Sequence, residues 1–234
     1  MESSKEFPNI HLLVGLPVQE GEKIFNEAFL IKNGQLLGCY KKRNLPNYGV
    51  FDERRYFTAG KNSEPLVFDV NGTRFGVNIC EDIWHAEAPE LAKKAGSEVL
   101  LILNASPFEK YKREQRIVCV EKNVCAQGMD AVYVNACGAQ DEIIFDGFSF
   151  TRAKDGKGRE MSGFEASSML AEAEHGGLLE TSSFEISQGI ADLYSGLVLS
   201  FKSYIENNSF KGVVLGLSGG IDSALVLKIA VDAV

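Results

Sequence analysis

Apolar and polar positions alternate in short runs along the first two-thirds of this chain, and the runs are separated by turn residues. Phe75, Val77 and Ile79 alternate as one face of a strand does, and Asn71-Gly72 just upstream is a hairpin signal. The pattern predicts strands at His11 to Val18, Ala28 to Ile31, Leu36 to Tyr40, Leu66 to Val70 and Arg74 to Ile79. Asn33-Gly34 joins the second and third of these as another two-residue hairpin. Glu98 to Asn104 is nearly all apolar, as befits a strand buried on both faces, and Ala131 to Ala136 reads the same way. Phe148 to Ala153 predicts a further strand, leading to a turn at Asp155-Gly156. Helical composition or spacing marks Glu87 to Gly96 and Lys110 to Met129, the latter with Ile117, Val120 and Val124 on one face.

From about Gly163 the pattern changes. Ser167 to Ser183 mixes small, acidic and glycine residues and reads as a connecting arm. Glu185 to Asn207 has apolar residues at helical spacing, namely Ile186, Ile190, Leu193, Leu197 and Phe201. Gly212 to Leu217 predicts a strand, and a helix follows that runs to Val234. Strands alternating with helices make this an α/β chain.

Composition changes the picture only by exclusion. A hydrophobic fraction of 45% and a charged fraction of 24% are those of a globular protein. A net charge of -8 argues against a nucleic-acid or anionic-membrane surface. No apolar run approaches the ~20 residues of a membrane span, and Met1 to Glu6 has no signal-peptide core. The five cysteines form no CxxC pair and their number is odd, which fits free thiols in a reducing cytoplasm, with no structural metal site.

Two stretches carry chemistry. The strand Phe75 to Ile79 delivers Cys80 to a strand-to-helix corner, followed by Glu81 and Asp82. A side chain there projects above the sheet, where a nucleophile can meet a substrate. The plainer reading is one more buried cysteine. The second stretch is Gly216-Leu217-Ser218-Gly219-Gly220-Ile221-Asp222-Ser223, a small-residue loop between an expected strand and a helix. Backbone N–H groups and the helix dipole make such a loop an anion site. It lacks the Gly-Lys-Ser/Thr of a Walker loop and the glycine spacing of a dinucleotide fold. The loop Lys41 to Glu53 is crowded with charges and aromatics, which marks it as functional more than structural.

Ser218 to Ser223 resembles the pyrophosphate loop of the ATP pyrophosphatase family, whose members adenylate a carbonyl oxygen. The first two-thirds of the chain resembles the nitrilase superfamily, which cuts carbon–nitrogen bonds with a Glu-Lys-Cys triad. Tyr40 to Pro46 is similar to that family's lysine segment, and Phe75 to Cys80 to its nucleophile strand. Leu45 to Glu53, Glu81 to Trp84, Asn104 to Phe108 and Gly138 to Glu142 are narrower, and resemble the glutaminase domain of glutamine-dependent NAD synthetases. The order of the two motifs is also that of those enzymes.

The resemblance implies a nitrilase-like α-β-β-α sandwich, lacking its N-terminal part, over residues 1–165. A linker at 166–184 would follow, then the opening β-loop-α unit of an ATP pyrophosphatase domain at 185–234. It implies Cys80 as nucleophile and Lys42 as its cationic partner, with Tyr48, Ser106 and Lys112 binding glutamine. Gly216, Leu217, Ser218, Gly219, Gly220, Ile221, Asp222 and Ser223 would hold ATP, with Mg2+ on the phosphates and no metal at the glutaminase site. The implied partners are L-glutamine, deamido-NAD and ATP, with homo-oligomers in the full-length enzyme. Taken alone, Lys42 could be a solvated lysine beside Lys41 and Arg43, although strand alternation puts Lys41 and Lys42 on opposite faces. Ser106 could be a helix N-cap before Pro107, and Lys112 an exposed helix lysine. Phe148 stands where the family often has a second glycine, and could simply repack a wall.

The family's general-base glutamate lies on a segment well upstream of the lysine. Glu2, Glu6, Glu20 and Glu22 carry none of its surrounding motif and read as solvated surface residues. The chain therefore reads as shortened at both ends, with little or no glutaminase turnover alone, since a lost proton shuttle costs ~10²–10⁴-fold. Three other readings stay open. One is a stand-alone nitrilase-type amidase, which leaves Ser218 to Ser223 unexplained. Another is a hydrolase pairing Cys80 with His85, and the third is a non-enzymatic remnant.

Overall fold

The computed structural model describes residues 2–186 and 189–234. Three strands, β1 (His11–Glu20), β2 (Lys23–Lys32) and β3 (Gln35–Lys41), form an antiparallel sheet in that order. Asn33 and Gly34 have φ of 47° and 75°, the two left-handed residues that a type I′ hairpin needs. β1 is longer than the apolar pattern predicted, because it continues past Val18 to pair Glu20 with Lys23. Pro17 is tolerated inside it because β1 pairs on one side only.

The second sheet has five strands. β4 (Val67–Val70), β5 (Thr73–Ile79), β6 (Val99–Asn104), β7 (Asp130–Asn135) and β10 (Phe150–Arg152) lie in the order β10-β7-β6-β5-β4. β5, β6 and β7 are parallel, and their crossovers run through helices α1 (Glu87–Lys94) and α2 (Lys112–Asn123). Ile83, Ala92, Ile117 and Val120 from the helical side bury Leu100, Ile102, Ala131 and Tyr133 on one face of this sheet. The opposite face meets the three-stranded sheet, where Ala28 and Tyr40 pack with Val77, Ile79 and Cys80. The two facing sheets, with α1 and α2 over the outer face of the five-stranded one, are the β-β-α part of the sandwich that the resemblance implied. Beyond it come the short hairpin β8 (Cys137–Gln140) and β9 (Ile143–Asp146), and a second pair, β11 (Ala173–Glu174) and β12 (Gly177–Leu178). Helices α3 (Ile190–Asn207) and α4 (Ile221–Ala233) close the chain.

Several boundaries differ from expectation. α2 stops at Asn123, six residues before Met129, because a short turn at Cys125–Gln127 and Gly128 at φ 77° reverse the chain. The strand expected from Phe148 begins at Phe150, since Gly147 and Phe148 both have positive φ, which breaks extended backbone. The expected arm at Ser167 to Ser183 contains β11 and β12 and is tied down by Glu180, which accepts from Arg159 and Thr151. The helix expected from Glu185 is helical from Ile190, and residues 187 and 188 lie outside the described residues. Gly212 to Leu217 forms no strand. Among the described residues no strand lies beside it to take its backbone N–H and C=O groups, and Val214 is fully exposed.

Candidate active site

The carboxyl ends of β5, β6 and β7 open onto one cavity of about 670 Å³ between the two sheets. Ile79 and Cys80, Asn104 and Ala105, and Asn135 and Ala136 bring the three strand ends to its wall. Leu13, Pro17 and Asn26 close it from the three-stranded sheet. Cys80 opens a short 3-10 turn, Cys80–Trp84, and its φ is 45°. A non-glycine residue in the left-handed region costs on the order of 1–3 kcal/mol, so the surrounding structure must hold this corner in place.

Lys42 follows the last residue of β3. Its N–H donates to the Asn26 carbonyl at 2.8 Å, continuing the ladder for one residue. Alternation then separates the two lysines. Lys41 reaches Glu20 at the surface, whereas Lys42, 2% exposed, points into the cavity and donates to Glu53 Oε1 at 2.6 Å. The solvated-lysine reading is thereby excluded. Burial pushes the Cys80 thiol up, the Lys42 ammonium pulls it down, and Glu53 and Glu81 push it up.

Glu53, the charge partner of Lys42 on the cavity wall, is a residue that sequence reasoning did not single out. It ends the run Leu45 to Glu53, but nothing in residue type or spacing ties it to a lysine eleven positions earlier. The glutamates weighed from the sequence, Glu2, Glu6, Glu20 and Glu22, are exposed, as expected. Asp82 was also passed over. It is completely buried and accepts from Tyr40, Arg43, Asn44 and Ile79.

The remaining expected residues surround the cavity without lining it. The half-exposed Tyr48 donates its hydroxyl to Glu81 Oε2 at 2.8 Å, and burial together with Glu81 raises its pKa. Both line a neighbouring recess of about 620 Å³ with Arg43 and Arg54. Ser106 sits one residue beyond Ala105 and is buried. It caps no helix, since α2 begins at Lys112 with Tyr111 as its N-cap. Its hydroxyl accepts from Arg116 Nε at 3.1 Å, and its N–H donates to Asn135 Oδ1 at 2.9 Å. Arg116 in turn forms a buried ion pair with Asp146 at 2.8 Å. Lys112 is not an exposed helix lysine. Its side chain is mostly buried, with Nζ 5.0 Å above the ring of Trp84, four residues past the nucleophile. Phe148 carries Arg113 over its face at 3.9 Å and meets Phe164 edge-on, so it does form a packed wall. His85 is exposed, lies 3.4 Å from Glu81 and does not line the Cys80 cavity, which removes the geometry a Cys80–His85 pair would need.

The loop before α4 carries Gly219 at φ 86°, and Ser218 and Ser223 hold hydroxyls 3.1 Å apart across it. It is exposed along its length. No group of three His, Cys, Asp or Glu side chains that could hold a metal gathers among the described residues. No helix among them is long and apolar enough to cross a membrane.

The buried Lys42 beyond the end of antiparallel β3 and the strained Cys80 beyond the end of parallel β5 thus face one cavity. The carbon-nitrogen hydrolase family profile matches residues 5–158, and the chain belongs to that family. The NAD synthase profile matches residues 193–234. The chain is 40% identical over 245 residues to the glutamine-dependent NAD(+) synthetase of Acinetobacter baylyi, covering 98% of this chain and 43% of that protein. It is 36% identical to the Aquifex aeolicus enzyme of the same name, covering 96% of this chain and 45% of that protein. The solved glutamine-dependent NAD+ synthetase of Acinetobacter baumannii superposes with a TM-score of 0.91 at 39% identity, over 98% of this chain and 44% of that one. An amidase from Nesterenkonia sp. superposes with a TM-score of 0.61 at 25% identity, over 69% of this chain and 60% of that one. The chain thus spans less than half the length of the curated relatives it matches.

Proposed function

We propose that this chain carries the glutaminase site of a glutamine-dependent NAD synthetase, together with the opening of its ATP-binding domain. The observation that carries this reading is the joint presence of Cys80 and the Lys42–Glu53 pair on one cavity wall. Cys80 Sγ attacks the side-chain amide carbon of glutamine. The carbon–nitrogen bond breaks, ammonia leaves with the thiol proton, and water hydrolyses the thioester to glutamate. Lys42 favours the thiolate and the developing oxyanion, and Glu53 holds Lys42 in place. The proton shuttle is the role the family assigns to a separate glutamate, and Glu53 is read here as a positioning group. Tyr48, Ser106 and Lys112, all close to the corner, contribute to the glutamine site. Ammonia then amidates deamido-NAD that has been adenylated by ATP, yielding NAD, AMP and pyrophosphate.

Residues 216–223 take the ATP phosphates in this reading. The positive φ of Gly219 and the start of α4 at Ile221 support it, because both turn backbone N–H groups toward an anion. With no three-ligand cage among the described residues, Mg2+ fits only as an ion carried mainly by phosphate oxygens, with Asp222 the nearest acidic side chain in the sequence. The boundaries 1–165, 166–184 and 185–234, homo-oligomers of the whole enzyme and a cytoplasmic location belong to the same proposal. The match at residues 193–234 favours it over a stand-alone amidase.

A diazoketone analogue of glutamine tests the reading. The expected result is a covalent adduct on the Cys80 peptide by mass spectrometry, suppressed by excess L-glutamine. Adduct formation that glutamine leaves unchanged would sink it.

A further inference from the structure

We propose that Asp82 is the positioning residue that sets the placement of Lys42 against Cys80. This rests on the reading of that pair given above and extends it to the residue that joins them. β3 ends at Lys41, and beyond Lys42 the chain leaves the sheet, so the N–H groups of Arg43 and Asn44 have no ladder partner. Both donate to Asp82 Oδ1, at 3.0 and 2.8 Å, and the Asn44 side-chain amide adds a third bond at 3.3 Å. The other oxygen, Oδ2, accepts from the Ile79 N–H at 3.1 Å and the Tyr40 hydroxyl at 2.9 Å. Tyr40 Oη accepts in turn from Asn78 Nδ2 at 3.0 Å.

One carboxylate therefore grips the residue before the nucleophile and the two residues after the lysine. It also closes the turn whose first residue, Cys80, stands at φ 45°. Nothing else among the described hydrogen bonds links the backbone of segment 40–44 to the corner at 79–82. All five groups around Asp82 are donors, and only a carboxylate offers acceptors on both sides. An asparagine there must turn its NH2 against either the Arg43 and Asn44 amides or the Ile79 N–H, since the Tyr40 hydroxyl can rotate to accept but a backbone N–H cannot. The isosteric change thus breaks one half of the clamp without opening a cavity. Geometry at a reacting pair tolerates little of this, since displacements of about 1 Å can cost on the order of 10²-fold in rate.

The test reads the thiol directly and requires no glutamine. The rate of iodoacetamide alkylation of the Cys80 peptide is followed by mass spectrometry from pH 6 to 10, in wild type, Asp82→Asn, Tyr40→Phe and Lys42→Ala. Circular dichroism confirms that each variant is folded. The expected result is a midpoint moved upward in Asp82→Asn toward that of Lys42→Ala, with a neutral-pH rate about tenfold lower. Tyr40→Phe, which removes one of the five donors, shifts by less and carries the test if Asp82→Asn does not fold. The proposal is overturned if these variants superpose on wild type while Lys42→Ala is displaced, or if they shift while Lys42→Ala does not. If no variant shifts, Lys42 does not act on the thiol, and the proposed catalytic pair falls along with the clamp. Labelling by the glutamine analogue that survives this last outcome would show that the substrate reading stands independently.

Discussion

Replacing Glu53 with Gln should weaken the protein and sharpen its nucleophile at the same time. Glu53 Oε1 lies 2.6 Å from Lys42 Nζ, and the lysine side chain is 2% exposed against 19% for the glutamate. At an effective dielectric near 20, two unit charges at this separation attract by about 6 kcal/mol. Much of that offsets the cost of taking both groups out of water. Glutamine keeps the shape and one acceptor, so what is lost is the charge, and the pair is not fully sealed, since Glu53 is the partly exposed member. The expected loss is about 2–3 kcal/mol, between a neutral-for-charged hydrogen-bond exchange and the breaking of a sealed ion pair. Urea unfolding followed by circular dichroism measures it, and for a chain of this size it lowers Tm by roughly 4–12 °C. Glu53 also holds the Cys80 thiol up by its negative charge, opposing Lys42. Removing that charge should therefore accelerate alkylation of Cys80 at neutral pH, the opposite of the effect of Lys42→Ala. Stability within 0.5 kcal/mol of wild type (roughly, the range of ordinary surface substitutions) together with unchanged alkylation would refute the claim that Glu53 is the charge partner of Lys42.

Two further outcomes follow from other buried charges. Asp146→Ala should cost about 3–5 kcal/mol in the same unfolding assay, because it leaves the Arg116 guanidinium, 1% exposed, without its anion. A loss below about 1 kcal/mol would mean that the carbonyls of Ser106 and Pro107 satisfy Arg116 unaided. Glu180 pairs with Arg159 and accepts from Thr151; burial raises its pKa, but these two partners outweigh it, and the folded value lies below the ordinary one. Its stabilising contribution is present above the unfolded carboxyl pKa and disappears as pH falls through the folded value. Glu180→Gln should therefore be less stable than wild type at pH 7 and converge with it under acid, and a constant gap across that range would contradict the assignment.

Asn33-Gly34 and Asn71-Gly72 determined their hairpins through local backbone preference, since asparagine and glycine tolerate the positive φ that such turns require. The apolar runs at Glu98 to Asn104 and Ala131 to Ala136 marked the parallel core strands, because burial on both faces leaves a continuous signature. Position at the end of an alternating strand left Cys80 as readily a plain buried cysteine, and it was the resemblance that singled it out. Alternation predicted that Lys41 and Lys42 would part, while only packing showed which one is buried. Glu53 and Asp82 became visible in the tertiary structure alone. They act on Lys42 and on segment 40–44 across eleven and about forty residues of chain, distances over which no periodicity carries information. Gly212 to Leu217 shows the converse, for its apolar pattern is that of a strand, yet a strand exists only where a neighbour takes its hydrogen bonds. Sequence specified the hairpins and the core strands, and the fold decided which charges meet around Cys80, because ion pairing depends on distance in space and is blind to order along the chain.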